Sequence, residues 1–163
     1  MLTSNVLISL FPSFFMLHEM EEIIFFNKFK QTIIPKLPLK IKDKMVNASQ
    51  SLFSLIILEE LILLMIFTYI ILIHPNFNYL YVSLILAYDY HIIGHIIQSI
   101  LVRSYTPGLV LGVISGILSI YWIVNIPVLN WILTFILSLV FIILIVINLI
   151  CCYQIGLKFR FKK

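Results

Sequence analysis

From Trp131 to Tyr153 no side chain carries a charge, and an apolar run of that length leaves few folds open. A bilayer core takes about 20 helical residues to cross. Within it only helices or closed barrels satisfy their own backbone. Four further apolar stretches precede this one, at Ser4 to Phe26, Ser49 to Ile73, Tyr79 to Val102 and Leu109 to Val124. Pro12 predicts a kink in the first. His74-Pro75-Asn76, Arg103 to Gly108 and the segment with Asn125, Pro127 and Asn130 predict turns between the others. The chain is 62% hydrophobic and only 11% charged, with mean hydropathy +1.12, against about 25% charged in soluble proteins. The reading is an all-α, polytopic membrane helix bundle of about five transmembrane helices, forming a single domain over residues 1–163.

The basic residues set the expected orientation. With the N-terminus outside and the C-terminus cytoplasmic, Lys28 to Lys44, Arg103 and the tail after Tyr153 all lie inside. Together they hold all 11 Lys and Arg, which satisfies the positive-inside rule. The lipid bilayer is therefore the expected surrounding partner and the cell membrane the expected location. The Lys28–Lys44 run is also placed to meet anionic lipid head groups. Tyr79, Tyr81 and Trp131, near the outer turns, fit either an interfacial aromatic belt or simple packing. The net charge of +4 is no nucleic-acid signature, because it sits in short flanking stretches. Cys151 and Cys152 are adjacent, so no disulfide framework and no CxxC site is expected. They read as small apolar residues at a helix end, with S-palmitoylation the lesser alternative. No Lys or Arg precedes Lys28, and no small-residue cleavage pattern follows the first apolar run. That run is expected to stay in the mature protein.

Six of the 7 acidic residues nevertheless fall inside these spans: Glu19, Glu21, Glu22, Glu59, Glu60 and Asp89. So do His18, His91 and His95. Insertion disfavours an Asp at a helix centre by about 3 kcal/mol, and an ionisable residue within a span is a functional-site hypothesis by default. Depth brings three helices together. At about 1.5 Å per residue, His18 lies roughly 15 Å from Lys28, Glu59 roughly 15 Å from Ser49, and His95 and His91 roughly 12 and 18 Å from Arg103. All sit at one level, in the cytoplasmic half.

Helical spacing then selects faces. His18, Glu21 and Glu22 stand at i, i+3 and i+4 and share one; Glu19 is expected to point elsewhere. Tyr88, His91, His95 and Gln98 share a stripe from which Asp89 is turned away. Glu59 and Glu60 are about 100° apart, so one of them is expected at a common centre.

Histidines and carboxylates converging in a low-dielectric core suit a divalent transition metal, zinc or iron above all. A metal also removes the need to protonate several carboxylates at lipid depth. The candidate ligands are His18, Glu21, Glu22, Glu59, His91 and His95, with Glu22 and Glu60 the candidates for moving protons. Mononuclear and dinuclear sites both remain open. No zincin motif is present: His18-Glu19 is followed by Glu22 where a second His is needed, and His91-x-x-x-His95 lacks the Glu. The Glu-x-x-His signature of di-iron bundles is also absent.

His18-x-x-Glu21-Glu22, followed by His95-Ile96-Ile97-Gln98 and Arg103-Ser104-Tyr105-Thr106-Pro107-Gly108, resembles the two blocks of the HXXEE-motif family of small prokaryotic integral membrane proteins. The blocks run from Leu17 to Gly108. The resemblance implies a family and a membrane location and supplies no substrate.

Three functions fit these residues. A metal-dependent membrane enzyme would act as a hydrolase on lipid or peptide bonds, or as a di-iron oxidoreductase. An ion, metal or proton-coupled transporter would use the same residues as a transit site, although such carriers place polar groups on both sides of the midplane. A structural or immunity-type protein would use them as interhelical polar glue. Adjacent Glu pairs serve that last role poorly, because like charges disfavour each other.

Overall fold

The computed structural model describes residues 4–36, 42, 49–128 and 130–160. It is all-α, with five long helices: α1 (Ser4–Ile33), α2 (Gln50–Ile73), α3 (Asn78–Val102), α4 (Leu109–Asn125) and α5 (Trp131–Arg160). Single 3-10 turns follow α1, at Ile34–Lys36, and precede α3, at Pro75–Phe77. Among the described residues, three helical segments, Gln50–Ile73, Pro75–Val102 and Trp131–Lys158, are long and apolar enough to cross a membrane. The shorter α4 is apolar too, while α1 carries Glu19, Glu21 and Glu22 in its middle.

Local chemistry accounts for the boundaries. Ser49 caps α2 by accepting the Leu52 N–H at 3.2 Å, and Asn130 does the same for the Leu133 N–H at 3.0 Å. The α1 and α5 helices continue through Lys28, Lys30 and Lys158, past the apolar limits expected from sequence. Lysine is a good helix former, so the end of the apolar run does not end the helix. Of the basic stretch, Lys36 Nζ donates to the Val102 carbonyl at 2.8 Å, a cation on the C-terminus of α3. Lys40 and Lys44 lie outside the described residues.

In the packing, α1 lies against α2 and α4, α3 against α4 and α5, and α2 against α5. The core is aromatic. Phe11 meets Tyr81, Tyr88 and Trp122 edge-on, at ring separations of 5.9, 5.3 and 6.1 Å, the favoured geometry for such rings. Tyr81 is fully buried, so of its two sequence readings packing is the one realised; Trp131 remains exposed.

Helix α1 is unbroken across Pro12. Proline has no N–H, so the Ile8 carbonyl four residues earlier loses its helical donor. The Tyr81 hydroxyl donates to that carbonyl at 2.9 Å and stands 2.8 Å from Thr68 Oγ1. One phenol thus ties α1, α2 and α3 together.

Candidate metal centre

The α3–α4 turn makes the site possible. Arg103 (φ 51°) and Gly108 (φ 81°) both take left-handed backbone, which reverses the chain within a few residues and brings the start of α4 against α1. At Gly108 a Cβ would lie 2.6 Å from His18 Cε1 and 2.8 Å from Glu22 Oε1. At Gly112, one turn on, it would lie 2.8 Å from Ile92 Cδ1 and 3.0 Å from His18 Nδ1. Both glycines are needed for the close approach, and Gly108 also for its φ.

His18 is completely buried, and its Nδ1–H donates to the Gly108 carbonyl at 3.0 Å. That bond leaves Nε2 as the ring's lone-pair nitrogen, which faces Glu22 Oε1 at 3.3 Å. From α3, His95 Nε2 comes within 2.7 Å of the same oxygen and His91 Nε2 within 3.6 Å. The two α3 nitrogens are 2.9 Å apart. One donor atom from each of His18, Glu22, His91 and His95 lies within 4.8 Å of all the others.

A tetrahedral ion with bonds of about 2.0–2.1 Å has donors about 3.3 Å apart, and the close approaches here bracket that value. Despite these short distances, His18 Nε2 and Glu22 Oε1 are buried with no hydrogen-bond partner. Buried polar atoms are nearly always paired; these two meet neighbours at ion-pair distance without a well-directed hydrogen bond. Four donor atoms gathered this closely could hold a metal ion. The Gly108 carbonyl fixes the orientation of the His18 imidazole.

The candidates divide. His18, Glu22, His91 and His95 come together, from two helices rather than three. Glu21, one residue from Glu22, turns to α4 instead. Its carboxylate accepts the Val110 and Leu111 N–H groups at 3.2 and 2.6 Å, and the Tyr105 hydroxyl. Unpaired N–H groups at a helix N-terminus attract a carboxylate, and this contact holds α4 on α1. Partial desolvation and the Glu21 carboxylate push the Tyr105 phenol above its ordinary range, which keeps it a donor.

Glu59 faces α5. Its Oε2 accepts from Asn148 Nδ2 at 2.9 Å, with Cys152 Sγ at 3.8 Å, so it stands outside the four-donor group. Glu60 interacts electrostatically with Glu59, His91 and Glu22 and by a side-chain hydrogen bond with Asn148. Asp89, turned away from the His91–His95 stripe, pairs across helices, accepting from Ser119 Oγ at 2.5 Å.

Glu19 departs from expectation. Its Oε1 lies 3.8 Å from His18 Nε2, and the residue is buried. An i+1 neighbour projects about 100° away, yet the long Glu19 side chain still brings its carboxylate this close to the imidazole. Three acidic residues within one turn was the available signal.

Residues 9–123 match the family described as a protein of unknown function with HXXEE motif. The chain belongs to the HXXEE family. The match contains all four donor residues and the whole α3–α4 turn. The motif's His18 and Glu22 are the two α1 members of the four-donor group, and Glu21 is the residue that clamps α4. No curated protein and no solved structure gives a significant match.

Proposed function

We propose that this HXXEE protein is a metal-dependent membrane enzyme in which His18, Glu22, His91 and His95 hold one divalent transition metal, zinc or iron. The observation that carries the reading is the convergence of three imidazole nitrogens and one carboxylate oxygen with two buried atoms left unpaired. The donor set contains no thiol and suits either metal. The side chain of His91 is 50% exposed and that of His18 fully buried, so His91 is the ligand best placed to yield a coordination position. Since Glu22 belongs with the donors, proton transfer falls to Glu60 and to Glu19.

Hydrolysis is the reaction this set supports best. A bound metal lowers the pKa of water to about 7, and a carboxylate beside the donors accepts the proton. Five spans with the N-terminus outside complete the proposal; they place the site in the cytoplasmic half, under a basic surface.

Metal analysis of detergent-purified protein tests it. Wild type is expected to retain about one zinc or iron per chain, and His95→Ala to lose it. Wild-type protein without a stoichiometric metal, after growth in medium supplemented with both, would end the proposal.

A further inference from the structure

A cavity of about 190 Å³ adjoins the donor group. Glu22 and His95 line it. Phe26, Phe29 and Phe53 line it too, with the Phe26 and Phe53 rings stacked at 5.0 Å. Gln98 and Thr106 supply the other polar atoms. Thr106 is 1% exposed, and its Oγ1 has no hydrogen-bond partner. A hydroxyl so deeply buried normally has one; here it borders empty space next to two metal donors.

Small-molecule sites usually enclose about 300–1,000 Å³, so this cavity admits a slim group and not a bulky ring system. Apolar walls with a few fixed polar atoms recognise a mainly apolar molecule in one orientation.

We infer that the cavity receives a single acyl chain, with its ester carbonyl beside Glu22 and His95 and an ester oxygen bonded by the Thr106 hydroxyl, and that the substrates are acyl esters of membrane-lipid type. The inference rests on the metal-enzyme reading above. In the reaction, water adds to the acyl carbon and the bond from that carbon to the ester oxygen breaks. One water proton passes through a nearby carboxylate to the leaving alkoxide, giving an alcohol and a carboxylic acid. No oxidant or further reactant is required. Gln98, on the α3 face of His91 and His95, lies where it can orient the polar end of the ester.

Acetohydroxamate and octanohydroxamate, which share one metal-binding head and differ in chain length, provide the test. Each is titrated against Co²⁺-loaded protein in phospholipid nanodiscs, with the visible cobalt spectrum as readout. Octanohydroxamate is expected to bind about tenfold more tightly or better, since each buried methylene adds appreciably to affinity. Part of that preference reflects partition into the bilayer, which is the same for every variant, so the decisive comparison is between proteins. Phe53→Trp, which fills the cavity, is expected to weaken the octanoyl compound about tenfold and leave the acetyl compound unchanged. Phe29→Trp serves the same purpose if Phe53→Trp does not fold. Thr106→Val is expected to weaken both compounds several-fold at unchanged cobalt stoichiometry. A chain-length preference equal in wild type and both tryptophan variants would place the chain outside the cavity and overturn the inference. So would unchanged affinities in Thr106→Val. Failure to bind cobalt at all would overturn the metal-enzyme reading, and the inference with it.

Discussion

Glu21 and Glu22 differ by one position, about 100° of helix rotation, and that rotation separates two tasks. Glu22 faces three imidazole nitrogens, whereas Glu21 closes the N-terminus of α4. The two neutral variants are therefore expected to fail differently. Glu22→Gln should weaken metal binding by about 10–100-fold or more, because loss even of a ligand's outer partner costs about that much. Competition with a chelator of known affinity measures it. Glu21→Gln should keep the donors and lose about 2 kcal/mol of stability, the scale of a hydrogen bond to a charged group, read as a shift in the unfolding midpoint. Equal metal loss in both variants would contradict the division. The HxxEE pattern showed that both carboxylates belong near His18. It could not show which faces the imidazoles and which clamps α4, because both lie on the same broad face until a neighbouring helix is present.

At the scale of elements, Pro12 and Tyr81 form a pair made by subtraction. The proline removes the donor that the Ile8 carbonyl would have in a regular helix, and a phenol from α3 replaces it. Tyr81→Phe should then cost about 1–3 kcal/mol, the penalty of a buried acceptor left unpaired. In a Pro12→Ala background, where the helix supplies its own N–H, the cost should shrink, with a coupling of about 1 kcal/mol. Unfolding of the four proteins in bicelles measures this cycle, and strictly additive costs would exclude the pairing. Pro12 was visible in the sequence as a helix irregularity. Its partner was not, since Tyr81 serves equally as an interfacial anchor or a packed ring until its burial is known.

For the whole molecule, the proposed topology puts the His74–Phe77 turn outside and the C-terminus in the cytoplasm. Alkaline phosphatase inserted in that turn should be active, and the same enzyme fused after Lys163 inactive; the reverse pattern would invert the arrangement. The helices themselves were legible because length, hydropathy and the breakers Pro75, Pro107 and Gly108 act locally. The common level of His18, His91 and His95 was legible as well, since rise per residue converts sequence distance into depth. The azimuth of each helix was not. Lipid is as apolar as a leucine side chain, so the apolar residues of α2 and α5 form no stripe to mark an inner face. For that reason Glu59 could be expected at the centre, while in the fold it pairs with Asn148 on α5. Sequence alone thus determined an all-helical chain with imidazoles and carboxylates at one depth. Only the tertiary structure, through the left-handed turn at Gly108 and the approach of α4 to α1, decided which four of those side chains converge.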